Sequence, residues 1–149
     1  MVVEKNMEKY ERYKKLKVAL KKSLQSGFYY EAIFIEYAIL EDRSTSVLAH
    51  ADVNYKDRNG YEVDLKTKLD KIRCNHVFQN NYIRSRLTTE LIDSLQAWRK
   101  TRNKLIHALC GVTYEEAYVK TVAMKGKELL DLFDNRVSSV NKYLQKSNQ

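Results

Sequence analysis

The chain contains no proline and only four glycines in 149 residues. Proline and glycine are the residues that most often end helices, form turns and interrupt strands. A chain that nearly lacks them is most easily built from long helices joined by short connections. We therefore predict an all-α fold in a single domain spanning residues 1–149, as an up-and-down helical bundle of four to five long helices. A looser all-α array is the alternative.

The spacing of apolar residues predicts five helices, at about 7–25, 28–54, 65–80, 84–110 and 114–143. Gly27 and Gly111 are expected to end the first and the fourth of these helices. Residues 55–64 form the one clear predicted loop, with a turn at Asn59–Gly60 and the option of a small hairpin. The second helix contains FYYEAIFIEYAIL, which is apolar on nearly every side, so we expect it to be the most buried.

The net charge and the cysteines limit the classes of function. Lys and Arg exceed Asp and Glu by eight, which favours a polyanionic partner such as RNA, while solubility alone is the competing explanation. Cys74 and Cys110 lack metal-ligand spacing, so we expect no metal, no cofactor and reduced thiols in a cytoplasmic protein. The N-terminus is too charged for a signal peptide, and no apolar run approaches the ~20 residues of a membrane span, which predicts no membrane partner.

The fourth predicted helix has an apolar stripe that is interrupted by an arginine. The stripe consists of Leu91, Leu95, Trp98, Leu105 and Leu109. Arg102 fills the gap between its two halves, where a leucine or isoleucine would be expected. A guanidinium on a core-facing seam is costly unless it is paired, hydrogen-bonded or open to a cleft. The pattern therefore singles out Arg102 as a candidate functional residue.

Asn103 and His107 share a helix face next to Arg102, because they are four residues apart. Arg102 and His107 are five apart, about 140° around an ideal helix, so they converge only through the length of the arginine or through a second copy lying opposite. A histidine, which titrates near pH ~6.5, can take a proton from a ribose 2′-hydroxyl or give one to a leaving 5′-oxygen. An arginine can bind the phosphate, and an asparagine can orient either side chain.

Other residues are weaker candidates for the same site. A phosphate-binding footprint is predicted for nearby basic residues, namely Arg84, Arg86, Arg99, Lys100 and Lys104. Glu36, Asp42 and Arg43 are predicted either to line the cleft and pair with Arg102 or to form ordinary salt bridges. Arg43 is also a candidate nucleic-acid contact. The lysine-rich first helix is an RNA footprint, a solvated face or a surface that docks a protein partner, and the sequence does not separate these possibilities.

At RNKLIH the chain resembles the HEPN superfamily (higher eukaryotes and prokaryotes nucleotide-binding domains). The superfamily signature is an Arg, usually a polar residue, then three to five residues and a His. Arg102, Asn103 and His107 match its common R-N-x-x-x-H form. The position of the motif, late in a long helix that is followed by one more long helix, is also similar.

The resemblance implies a HEPN-like helical bundle and a metal-independent endoribonuclease, with Arg102 and His107 catalytic and Asn103 supporting them. It also implies a homodimer whose motifs face each other, RNA as the substrate, an antitoxin protein as a possible partner, and a role in toxin–antitoxin or phage-defence systems. In a subset of these toxins an antitoxin modifies a tyrosine two residues after the histidine. That position is Leu109 here, so this form of control is not supported. The alternative is a non-catalytic nucleotide-binding, RNA-binding or protein-interaction module of the same fold.

Overall fold

A computed structural model describes residues 2–148, with side chains from residue 7 onward. It is an all-α bundle, as predicted, and has no strand among the described residues apart from one isolated bridge between Lys56 and Glu62. The helices are α1 (Val2–Ser26), α2 (Tyr29–His50), α3 (Leu65–Cys74), α4 (Asn81–Arg86), α5 (Thr89–His107) and α6 (Glu116–Ser147). A short 3₁₀ turn, His76–Gln79, connects α3 to α4.

The predicted helix over 84–110 is in fact two helices, and this prediction was wrong at both ends. The chain leaves α4 at Leu87, and Thr88 then starts α5 by accepting a hydrogen bond from the backbone N–H of Leu91 at 3.2 Å. A side-chain cap of this kind satisfies one of the free N–H groups of the first turn. At the other end α5 stops at His107, so Leu109 lies beyond the helix and is 40% exposed rather than in the core.

The core forms where α2 packs against α1, α3 and α6, and where α5 packs against α3 and α6. Trp98 of α5 is buried there, and its indole Nε1–H donates to the backbone oxygen of Val122 on α6 at 3.0 Å. Gly126 lies one turn further along α6, and a Cβ there would come within 2.6 Å of the Trp98 ring. Because Gly126 has no side chain, α6 can approach α5 closely at this point. This contact fixes the position of α5.

None of the helices within residues 2–148 combines the length and the apolar character that crossing a membrane would require.

Candidate functional site

Arg102 lies half-buried between α5 and α2, with its guanidinium stacked on aromatic side chains of α2. Its central carbon is 4.0 Å from the centroid of the Tyr37 ring and 5.4 Å from that of Phe34. One nitrogen, Nη1, donates to Oδ1 of Asn103 at 3.0 Å. A cation over an aromatic face is stabilised by about 0.5–2 kcal/mol, depending on desolvation. The stacking and the hydrogen bond together restrict the side chain to one orientation.

No carboxylate within the described residues lies at ion-pair distance from Arg102. The buried Nε also has no hydrogen-bond partner there. Arg43 and Arg73, in contrast, each have an aspartate oxygen within 2.9 Å. Among the residues whose side chains are described, Arg102 is therefore a positioned cation without a counter-ion, and an anionic ligand would supply one.

Tyr37 lies in the same electrostatic environment as Arg102. Burial raises the pKa of the Tyr37 hydroxyl, and Glu41 adds to this effect, while Arg102 and Arg99 oppose it. The tyrosine therefore stays protonated and neutral beside the guanidinium, and it supplies a stacking surface rather than a charge.

His107 is the last residue of α5, and its side chain is exposed. No described residue forms a hydrogen bond or an ion pair with it. Lys100 and Lys104 are also exposed, as members of a phosphate-binding footprint must be, and the spacing of the three residues places them on one side of the helix. Arg102 lies on the other side of α5 and faces α2. Within one copy the arginine and the histidine therefore remain about 140° apart around the helix axis.

The prediction that Arg99 belongs to the phosphate-binding footprint is wrong, because Arg99 is buried and only 9% exposed. Its Nε–H donates to Oε1 of Gln96 at 2.8 Å, and Gln96 in turn donates to Oδ1 of Asp70 on α3 at 2.9 Å. Ile92 and Leu95, both buried, precede Arg99 by seven and four residues and share its helix face. That spacing in the sequence was the signal that Arg99 belongs to the buried side.

The acidic and basic residues of α2 do not pair with Arg102. Arg43 turns towards α6, where its Nε lies 2.8 Å from Oδ1 of Asp134 and its Nη2 donates to Ser138. Asp42 lies 3.4 Å from Lys9 of α1. Glu36 is fully buried without a hydrogen-bond partner among the described residues. The salt-bridge interpretation is therefore correct for Asp42 and Arg43, and the shared cleft with Arg102 is not formed.

Arg84 does not contribute to an open phosphate-binding footprint. Its guanidinium donates to the backbone oxygens of Leu87, Ile72 and Arg73, so it joins the ends of α3 and α4. Arg86 is exposed, but it stacks over Tyr82 at 5.4 Å on the far side of the α4–α5 break. The exposed lysines that adjoin the motif are thus Lys100 and Lys104.

Sequence reasoning missed the aromatic residues that hold Arg102. Phe34 and Tyr37 lie in the part of α2 that is apolar on nearly every side, so its sequence gives no indication of which side chains face outward. Phe34 is 47% exposed, although it lies in the helix that was expected to be the most buried. Only the packing of α2 against its neighbours determines which ring remains open.

An open groove of about 450 Å³ lies between α5 and α6 and is lined in part by Trp98, Thr101 and Tyr118. It does not include Arg102, Asn103 or His107. Among the residues that the structure describes, no group of three or more His, Cys, Asp or Glu side chains is arranged to hold a metal ion. No family model, curated protein or solved structure matches this chain.

Proposed function

We propose that the protein is a metal-independent endoribonuclease that acts as a homodimer through α5. One observation carries the proposal: Arg102 is a half-buried cation, stacked on Tyr37, with no carboxylate at ion-pair distance among the described residues. Arginine is favoured for binding phosphate, because its planar donors match the phosphate oxygens. Lys100 and Lys104 add contacts to the RNA backbone that do not depend on sequence. Toxin–antitoxin or phage-defence systems are the proposed setting.

The chemistry follows from the three residue types. The ribose 2′-oxygen attacks the adjacent phosphorus, and the bond from phosphorus to the 5′-oxygen breaks. One imidazole removes the proton from the 2′-hydroxyl, and one delivers a proton to the leaving 5′-oxygen. Arg102 stabilises the charge that develops on the phosphate, with Asn103 holding the guanidinium. The products are a 2′,3′-cyclic phosphate and a 5′-hydroxyl.

The scheme requires a dimer, because one copy has a single His107, and this histidine lies on the opposite side of α5 from Arg102. A two-fold axis beside α5 would bring two arginines and two histidines together. Each histidine could then serve one of the two proton transfers.

The test is cleavage of end-labelled RNA in EDTA, with analysis of the product ends. We expect 2′,3′-cyclic phosphate and 5′-hydroxyl ends from wild type, and a loss of about 100- to 10,000-fold in rate for His107→Ala. Lys125→Ala, a change of an exposed lysine on α6, is the control and should retain full activity. Products with 3′-hydroxyl ends would exclude the proposed chemistry.

A non-catalytic RNA-binding module of the same fold is the second candidate. It is favoured by the absence of any described residue that orients His107, since a catalytic histidine is usually held by a hydrogen bond from a neighbour. In that case the protein would bind RNA with strong salt dependence, and it would not cleave it.

A further inference from the structure

Phe34 is an exposed aromatic residue next to the candidate phosphate-binding arginine. Its side chain is 47% exposed, and its ring centroid lies 5.4 Å from the guanidinium carbon of Arg102. Isolated apolar residues on a surface are common and need no explanation by themselves. Phe34 differs from them because a cation without a counter-ion among the described residues adjoins its ring.

We propose that Phe34 stacks against a nucleobase of the bound RNA, next to the phosphate that Arg102 contacts. This inference rests on the proposed function and deepens it by naming where a base of the substrate is held. Tyr37 is not available for this role, because the guanidinium of Arg102 already covers its ring at 4.0 Å. Phe34 is the ring of the pair that keeps half of its surface open to solvent.

The chemistry of the two side chains fits a nucleotide better than a protein surface. A protein that covered Phe34 would also cover Arg102, and burying a guanidinium without a paired anion is costly. A nucleotide instead supplies an anion for Arg102 and a flat aromatic base for Phe34 at adjacent positions.

Stacking of this kind adds affinity without sequence preference, since every base has an aromatic face. It does not take part in proton transfer. The loss of the Phe34 ring should therefore weaken RNA binding, while the cleavage rate at saturating RNA should be retained.

The experiment measures binding of single-stranded RNA of about ten nucleotides, a typical site size for such proteins, to the His107→Ala protein, which cannot cleave it. Phe34→Leu keeps an apolar side chain without an aromatic ring, and we expect it to weaken binding by about 5- to 100-fold. Phe34→Trp should restore binding. Tyr61→Leu is the matched control, because Tyr61 is an aromatic residue with 73% exposure in the loop between α2 and α3. This variant should bind the RNA with unchanged affinity.

A second probe is an abasic oligonucleotide of the same length and charge. Phe34→Leu should not alter its binding, since only the base contact is removed. Equal affinity of Phe34→Leu and its parent for normal RNA would overturn the stacking role. Equal losses of affinity for normal and abasic RNA in Phe34→Leu would overturn it as well. A change in the oligomeric state of Phe34→Leu, measured by sedimentation, would also overturn it, because it would indicate that Phe34 contacts a protein.

The two proposals fail in different ways. If wild type cleaves RNA and Phe34→Leu binds it normally, then the stacking role fails and the nuclease stands. If wild type does not cleave RNA and the His107→Ala protein does not bind it, then the proposed function is wrong and the stacking role falls with it.

Discussion

Arg99 and Arg102 are three residues apart on α5, yet their surroundings differ. Arg99 is buried and hydrogen-bonded to Gln96, which links α5 to α3. Arg102 is half-buried and stacked on Tyr37, with its remaining donors uncommitted within the described residues. The sequence identified Arg102 through the gap in its apolar stripe. The role of Arg99 was missed, although its spacing from the apolar Ile92 and Leu95 places it on the buried face of α5.

Glu36 is a second buried ionisable residue, and it makes stability depend on pH. Burial raises the pKa of Glu36 to about 9, with Asp131 adding to the effect and Lys127 opposing it. The folded protein therefore holds a proton that the unfolded chain releases above about pH 4.5. This contribution to stability is complete below that pH and is lost as the pH rises towards 9.

We expect the free energy of unfolding to fall by up to about 1.4 kcal/mol per pH unit between about pH 5 and 9. Glu36→Gln, which has no proton to lose, should flatten this dependence. Chemical denaturation across the pH range measures it. Glu31→Gln, at an exposed position on the same helix, is the control and should keep the wild-type slope. An unchanged slope in Glu36→Gln would show that Glu36 is ionised in the folded state.

At the level of helices, the close approach of α6 to α2 and α5 is the contact that holds α5 in place. An added Cβ at Gly126 would come 2.4 Å from Oε1 of Glu36 and 2.6 Å from the Trp98 ring. Both neighbours are buried, so neither can move away freely. Gly126 lies among the buried residues of α6, and a glycine on the apolar face of a long helix is the sequence signal for such an approach.

Gly126→Ala should destabilise the protein, because overpacking a core typically costs about 1–3 kcal/mol. Alanine has a better helix propensity than glycine, which offsets about 1 kcal/mol of this cost. The matched control is Gly111→Ala, where a Cβ meets no atom within 4 Å, and its melting temperature should stay at the wild-type value. A melting temperature for Gly126→Ala that equals or exceeds that of wild type would contradict this packing.

The helices themselves were largely predictable, but their ends were less so. The lack of proline and the apolar periodicity identified the long helices, and Gly27, with φ of +78°, ends α1 as expected. The break at Leu87–Thr88 was missed, because both flanking segments have helical periodicity and only the Thr88 cap separates them. The outward-facing ring of Phe34 was missed as well, since a helix that is apolar on nearly every side does not reveal its exposed face.

At the level of the whole molecule, the proposed site is complete only when two copies meet. Arg102 faces α2, while His107 lies on the exposed side of α5, so one copy does not align both with a single phosphate. The proposed dimer pairs the arginine of one copy with the histidine of its partner. The phase of the two residues on one helix is the reason for proposing this arrangement.

Mixing wild type with an inactive variant tests whether both copies contribute to one site. When wild type and His107→Ala are co-expressed in equal amounts, about half of the dimers are mixed, and each mixed dimer has one His107 imidazole where the scheme uses two. We expect about a quarter of the cleavage activity of the same amount of wild-type protein, since about a quarter of the dimers keep both histidines. A fall to only about half of that activity would show that each site uses the histidine of a single copy.

The central claim is that Arg102 and His107 carry out RNA cleavage, and its most direct measurement is the single-turnover cleavage rate in EDTA. Wild type should cleave single-stranded RNA, and Arg102→Ala should be slower by at least about 100-fold, as expected for the loss of a group that stabilises developing charge. His107→Ala should lose at least as much. Melting temperatures close to that of wild type would show that both variants are folded. Cleavage that persists in both folded variants would contradict the account.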